Sequence, residues 1–360
     1  MPPAEKTPAK CAFLRIFVAR WHSALSLRMP CCRPITYQRR VPAWDLALLQ
    51  CMRLPATFLK RQAMSTPHQN QAANPKIIPR EKLDFHLNDQ DIPRYWWDNS
   101  AFKTRFADAM STTFPVGERF FISCVRDYRD RVTDPALQQE IKDFIRQEGQ
   151  HGMVHDLFNG RLKEQGVAVG ALERIYKYWL FDFFRKYASR KHTLAFTAAA
   201  EHMTAIMVHL LFDTPEMIEQ ADPRLAGMYA WHAMEEMEHK AVAFDVMQKV
   251  AKVGYGMRIL AFIEISIFFP LATFLVMDHM FKVDGMSRWQ RAKAWTKGLW
   301  WLYGIGGLFT KPSFLGHYLA YLKPGFHPWQ AGELGTYKLW LAELERSGDP
   351  IAAGQTLRMA

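Results

Sequence analysis

With 360 residues, 49% of them hydrophobic and 14% aromatic, the chain can bury a large core, as one big domain or two. Its formal charge of +11 invites a nucleic-acid role, but residues 1–63 hold 11 Lys and Arg against Glu5 and Asp45 while the rest is nearly balanced at 35 bases to 33 acids, so nucleic acid is not an expected partner of the body. Cys11, Cys31, Cys32 and Cys51 lie in the same stretch and only Cys124 beyond it, which excludes a disulfide framework or thiolate metal site in the body and fits a reducing cytoplasm.

Residues 1–63 form a basic leader without stable periodicity. Arg15 and Arg20 interrupt its one early apolar run, against a secretory signal. The composition would suit an organelle transit peptide, but the expectation is that translation starts at Met64, because Ser-Thr-Pro-His-Gln-Asn-Gln follows like a polar terminus. Residues 64–100 read as a polar tail ending in Ile92-Pro-Arg-Tyr-Trp-Trp-Asp98, which docks onto the body by its aromatics.

Ser111-Thr-Thr-Phe-Pro115 opens the first clear helix, with hydroxyls for capping and proline in the first turn. It runs to about Arg129 and carries Glu118. Asp134-Pro135 opens a second, closed by Asn159-Gly160, that carries Glu148, His151 and His155. An aromatic-rich segment from Ala171 to about Tyr187 crosses or shields these. The fourth helix, Lys191 to Phe212, is apolar almost all round Glu201 and is expected to be buried. Asp222-Pro223 starts a fifth, which runs through Trp231-His-Ala-Met-Glu-Glu-Met-Glu-His239 to about Val253. These make a helical bundle over 101–255.

Residues 259–277 are mostly apolar, interrupted by Glu264 and Pro270. A second apolar block, Leu299 to Phe309, follows Arg291, Lys293 and Lys297. Length would let the first block cross a membrane, whereas the acid and the proline weigh against it. The favoured reading of 256–345 is an apolar C-terminal helical hairpin packed on the bundle, with a face for lipid or a lipophilic substrate; a true span is second. Residues 346–360 read as a loose tail. No strand-like alternation follows residue 100, so the fold expected is all-α.

The motifs carry the chemistry. On a helix, His232, Glu236 and His239 fall at i, i+4 and i+7, one stripe of one face; Glu148, His151 and His155 fall at i, i+3 and i+7. Chance gives roughly 0.6 Glu-x-x-His spacings in such a chain, so one match means little. Here there are two, each preceded by a helical glutamate, Glu118 and Glu201. That is the ligand set of di-iron and di-manganese carboxylate bundles. A carboxylate among three alanines, as in Ala198-Ala-Ala-Glu201, costs several kcal/mol to bury unless a cation or donor meets it. Glu118, Glu148, His151, Glu201, Glu236 and His239 are therefore the six core ligands expected, with a surface ion pair as the alternative for Glu118. His232 is either a further ligand or a hydrogen-bonding neighbour of one. His155 is expected to hydrogen-bond a ligand, His209 to line the pocket, and His202 to be structural. Glu235 and Glu238 point off the stripe, towards solvent. Nothing beyond the metal centre is singled out as catalytic.

The segments Arg146-Gln-Glu-Gly-Gln-His-Gly-Met-Val-His155, Ala200-Glu-His-Met-Thr-Ala205 and Trp231-His-Ala-Met-Glu-Glu-Met-Glu-His-Lys-Ala-Val-Ala-Phe-Asp245 resemble the bacterial family described as predicted metal-dependent hydrolases. The likeness spans roughly residues 75–340 and implies a ferritin-like four-helix bundle around a binuclear metal site. The His-x-x-x-Glu-x-x-His pattern of His232, Glu236 and His239 is also similar to that of the di-iron arylamine N-oxygenases, where the extra histidine is a ligand. That analogy makes His232 a seventh ligand.

Carboxylate and imidazole without a soft ligand suit two iron ions, with manganese as the alternative. The function expected first is O₂-dependent oxidation or oxygenation of a small or lipophilic substrate, with an electron-donor protein as partner; this rests on fold-level analogy, since a bundle core shields reactive oxygen. A two-metal hydrolase of an ester or phosphate is second. A metal-storage or membrane-associated bundle without catalysis is third. The expected location is the cytoplasm, with any peripheral membrane contact made through 259–309.

Overall fold

The computed structural model describes residues 76–212, 219–331 and 335–357. The leader, the start at Met64 and residues 358–360 lie outside the described residues. Among these the chain is helical without a strand; Trp97 and Ala221 make one isolated antiparallel bridge.

Helix α1 (Ala101–Ser111) opens on Ser100, whose hydroxyl accepts from the Lys103 amide. The sequence reading begins its first helix only after Ser111. What hides α1 is that Phe102, Arg105, Phe106, Asp108 and Met110 are all buried, so it has no polar stripe against which an apolar one stands out. Helix α2 (Phe114–Arg126) has Pro115 in its first turn as expected, but Thr113 does not cap it; its hydroxyl donates back to the Met110 carbonyl at 2.7 Å. Helix α3 (Pro135–Glu164) is capped by Asp134, which accepts from the Ala136 amide. It runs straight through Asn159-Gly160, the expected end. The Asn159 side chain is taken up by Ser111, and the left-handed turn that ends the helix falls at Gly166, with φ of 94°.

Helix α4 (Val169–Lys177) widens into π-type turns through Phe184 and closes at Tyr187. Helix α5 is Arg190–Phe212, and α6 is Pro223–His239, capped by Asp222 through the Arg224 amide. Expected to continue to Val253, α6 instead stops at its last histidine; a short α7 (Val242–Asp245) and a π turn follow. Helices α2, α3, α6 and α5 touch in a closed ring, each packed on two of the others.

Helix α8 (Tyr255–Val283) lies on α5 and α1, and α9 (Arg288–Tyr303), opened by a Ser287–Gln290 capping box, lies on α1. By length and composition α8 could cross a membrane, and 33% of its most apolar 18 residues are buried inside the protein. Its Glu264 meets His192 at 2.7 Å. The fully buried Arg105 pins the end of α8 to α1, binding Asp108 at 2.8 Å and Asp284 at 2.5 Å. Helix α10 (Pro312–Ala320) packs on α5.

Helix α11 (Tyr337–Ser347) leads to α12 (Pro350–Thr356), which corrects the reading of 346–360 as a loose tail. Two glycines make the difference: a Cβ on Gly354 would lie 2.7 Å from the Gly227 Cα, so the lack of a side chain at both positions lets α12 seat on α6. Residues 76–98 lie against the body and bury Phe85, Leu87, Ile92, Trp96 and Trp97, the Trp96 indole N–H donating to Asp108.

Candidate metal centre

The four ring helices each deliver acids or imidazoles to one point: Glu118 from α2, Glu148 and His151 from α3, Glu201 from α5, and His232, Glu236 and His239 from α6. All seven are buried. Two triads could each hold a metal ion: Glu118, His151 and His232, and Glu148, Glu236 and His239, with the donor atoms of each triad within 4.8 Å of one another. Glu236 Oε1 stands between them, 3.0 Å from His232 Nε2 and 3.6 Å from both His151 Nδ1 and His239 Nε2. Glu201 is outside both triads, but its Oε2 comes within 3.4 Å of His239 Nε2.

Hydrogen bonds outside the cluster fix which nitrogen of each imidazole carries the proton. His151 donates through Nε2–H to Glu235 Oε2 at 3.1 Å, leaving the lone pair of Nδ1 facing the cluster. His239 donates through Nδ1–H to Gln147 Oε1 at 2.8 Å, leaving Nε2 inward. His232 takes a longer argument. The Ser111 carbonyl can only accept, so Asn159 must face it with Nδ2 at 3.1 Å and turn Oδ1 to the Ser111 hydroxyl at 3.0 Å. That hydroxyl donates to Asn159 and so accepts from His155 Nδ1–H at 2.8 Å. His155 Nε2 then accepts from His232 Nδ1–H at 2.7 Å, and His232 Nε2 is left inward as a lone pair.

Three imidazole lone pairs thus face four carboxylates, and without a cation or a proton between them His232 Nε2 and Glu236 Oε1 would repel at 3.0 Å. Both oxygens of Glu118 and Glu148, Glu201 Oε2, His151 Nδ1 and His239 Nε2 are buried with no directed hydrogen bond. Orphaned lone pairs converging on one point fit metal ions, and the set holds only N and O ligands with no soft one. In the metal-free cluster, burial, and then repulsion by Glu148 and Glu236, push Glu118 well above the ordinary carboxylate range. Burial and Glu201 do the same to Glu148. Glu201 is pushed up to about 7 by burial and Glu236. Burial is opposed and overcome at two groups of the metal-free cluster: Glu236 is held low by His239 and His232, and His239 is held well above the ordinary imidazole range by Glu236, Glu148 and Glu201.

Behind the cluster stands a layer that the sequence reading missed. Glu235 and Glu238, expected in solvent, are buried, which corrects that reading. Arg80 covers them from the segment before α1, its Nη1 3.1 Å from Glu235 and its Nη2 2.7 Å from Glu238. Glu238 also accepts from Gln147 at 2.7 Å and from the Tyr337 hydroxyl at 2.5 Å. One signal was available. Met234-Glu-Glu-Met-Glu238 has no Lys or Arg in the nine positions before it, on a helix rich in apolar residues, so its acids needed partners from elsewhere.

His155 lies where a ligand-orienting histidine would. His209 does not face the cluster: its ring stacks on His317 at 4.2 Å, whereas its neighbours Met207, Val208 and Leu210 line the cavity below. His202 stacks on Tyr321.

A cavity of about 910 Å³, its open end included, reaches the cluster from one side. Its walls are Trp96, Phe106, Met110, Phe114, Met207, Phe309 and similar side chains; at the inner end stand Thr204, His232 and Glu236. Thr204 donates to Glu236 Oε2 at 2.6 Å. Among the described residues no Lys or Arg lines it. In comparisons with known proteins, no curated protein and no solved structure matches the chain. The family described as "predicted metal-dependent hydrolase" matches residues 79–332, well over half of the chain and all of the cluster. The chain belongs to that family of predicted metal-dependent hydrolases.

Proposed function

We propose that the protein is a binuclear-metal oxidase or oxygenase, with iron in both positions and manganese as the alternative, acting on a small lipophilic substrate. Glu118, Glu148, His151, Glu201, His232, Glu236 and His239 hold the ions, on a ring of helices that we read as a ferritin-like four-helix bundle. The observation that carries the oxidative reading is the cavity: among the described residues a wall of hydrocarbon and aromatic rings leads to the cluster, with Thr204, His232 and Glu236 at its inner end. Such a wall orients an apolar molecule by shape and excludes water. Among the described residues it offers no Lys or Arg side chain to a phosphate or to the carboxylate released from an ester.

Held by these seven residues, a reduced pair of ions would supply electrons to O₂. The chain positions the reaction: Thr204 holds one oxygen of Glu236 and so aims the other between the two triads. The Asn159–Ser111–His155 chain keeps His232 Nε2 deprotonated towards the cavity. Turnover then needs an external electron donor, for which we propose a protein. The second reading, hydrolysis of an ester, draws on the family's description.

The test begins with the metal content of the purified full-length chain. Oxygen uptake and near-ultraviolet absorbance are then followed on aerating the ferrous protein. Two metals per chain with O₂ uptake is the expected result. An inert ferrous form that turns over esters or phosphates when loaded with manganese or zinc moves the assignment to hydrolysis. Glu201→Ala and His239→Ala should each abolish metal binding with helical circular dichroism retained; two metals in both variants defeat the site.

A further inference from the structure

Between Asp284 and Glu333 the chain has no acidic residue and six basic ones, Arg288, Arg291, Lys293, Lys297, Lys311 and Lys323. Helix α9 lies in this stretch and shows an unusual outer face. At 100° per residue Trp289, Lys293, Lys297, Trp300 and Tyr303 fall within an arc of about 120°. All five are exposed, Trp289 at 79% and Trp300 at 66%, while Gly298 and Leu302 on the opposite side face inward. Ile305, in the loop that follows, is 95% exposed. Around the Tyr318–Ser266 hydrogen bond, which joins α10 to α8, Leu315 and Leu319 of one helix and Ile263 and Ile267 of the other are also exposed.

We propose that α9 and the loop after it seat the protein on an anionic lipid surface, lying in the interface without spanning it. Tryptophan and tyrosine favour the headgroup level, and lysines beside them meet anionic headgroups. A partner copy would present the same acid-free surface and repel it. The position of α8 speaks against spanning: its inner face is bound to α5 and α1, Glu264 pairs with His192, and Asp278 pairs with Arg291. The surface is also continuous with the cavity. Phe309, in the cavity wall, has its ring 5.5 Å from that of the exposed Tyr303 and 5.0 Å from that of Phe314. These contacts put the cavity wall next to the face that would meet hydrocarbon.

The experiment is flotation of the full-length chain with vesicles of phosphatidylcholine, with or without phosphatidylglycerol. The protein should float with the anionic vesicles and be released by salt. Each lysine near such a surface contributes about 1 kcal/mol, so Lys293→Gln with Lys297→Gln should weaken binding about thirtyfold. Trp289→Ser with Trp300→Ser should weaken it further, circular dichroism being unchanged in both pairs. No flotation with anionic vesicles overturns the proposal, and so does flotation that neither pair alters. A dimer by light scattering that the tryptophan pair dissociates, with no vesicle binding, would make the face a self-interface instead. None of these outcomes depends on the metal site.

Discussion

Replacing Arg80 by methionine tests how far the cluster depends on the layer behind it. Arg80 is the guanidinium that meets both Glu235 and Glu238, at 3.1 and 2.7 Å, and both carboxylates are fully buried. Removing one partner of a buried ion pair costs about 3–5 kcal/mol, because the charge left behind has neither water nor counter-ion. At about 2–4 °C per kcal/mol for a domain of this order, the melting temperature should fall by about 6–20 °C. The lower end applies if Glu235, already pushed up to about 7 by burial, simply takes a proton. The same change loosens one imidazole in each triad: Glu235 holds His151, and Glu238 holds Gln147, which holds His239. Loss of such support typically lowers metal affinity about 10- to 100-fold. Calorimetric melts of the metal-free protein and metal titration against a competing chelator measure the two effects separately. Adding Glu235→Gln and Glu238→Gln to Arg80→Met removes the orphaned charges, so it should restore most of the melting temperature and only part of the metal affinity. If Arg80→Met left both quantities at their wild-type values, the account of the supporting layer would be wrong.

Three further outcomes follow from the geometry. A Cβ at Gly152 would lie 3.0 Å from Glu118 Oε2, so Gly152→Ala should push that carboxylate aside and lower occupancy in the Glu118, His151 and His232 triad first, read as metal per chain with the melting temperature little changed. Glu201 ionises in the unfolded chain near 4.5 but in the metal-free fold at about 7, so its contribution to stability falls as pH rises from 4.5 to 7 and is constant above. Metal-free Glu201→Gln should accordingly lose less melting temperature than wild type across that window, and an equal loss would contradict the assignment. Met207→Trp, which fills the cavity wall away from the ligands, should leave two metals bound while reducing the uptake of an apolar probe such as a long-chain alcohol; unchanged binding would mean that the cavity is not the route.

Much of the site was legible in the sequence because a helix writes its geometry locally. Glu148 with His151, and Glu236 with His239, share a face wherever those helices lie, and the capping aspartates Asp134 and Asp222 mark where each begins. The errors have a common cause. Asn159-Gly160 carries the signal of a helix end, yet a side chain 48 residues away recruits Asn159 and the helix continues. Helix α1 was missed because Arg105 and Asp108 look like surface residues until Asp284, 179 positions on, is seen to join them in the interior. Helix α12, seven residues long, has too few turns to show a period, and only the Gly227–Gly354 contact holds it in place.

By itself, then, the sequence determined the all-helical class, the helices that carry the seven candidate residues and the register of those residues along each, since all of these follow from 3.6 residues per turn and from composition. Only the tertiary structure decided which nitrogen each imidazole turns inward, that Arg80 neutralises Glu235 and Glu238, that His209 faces away, and that an apolar cavity ends at His232 and Glu236. The physical reason is one of range. Backbone periodicity is set by neighbours a few positions apart, whereas hydrogen-bond direction, charge pairing and empty space arise between helices that meet only after the chain has packed.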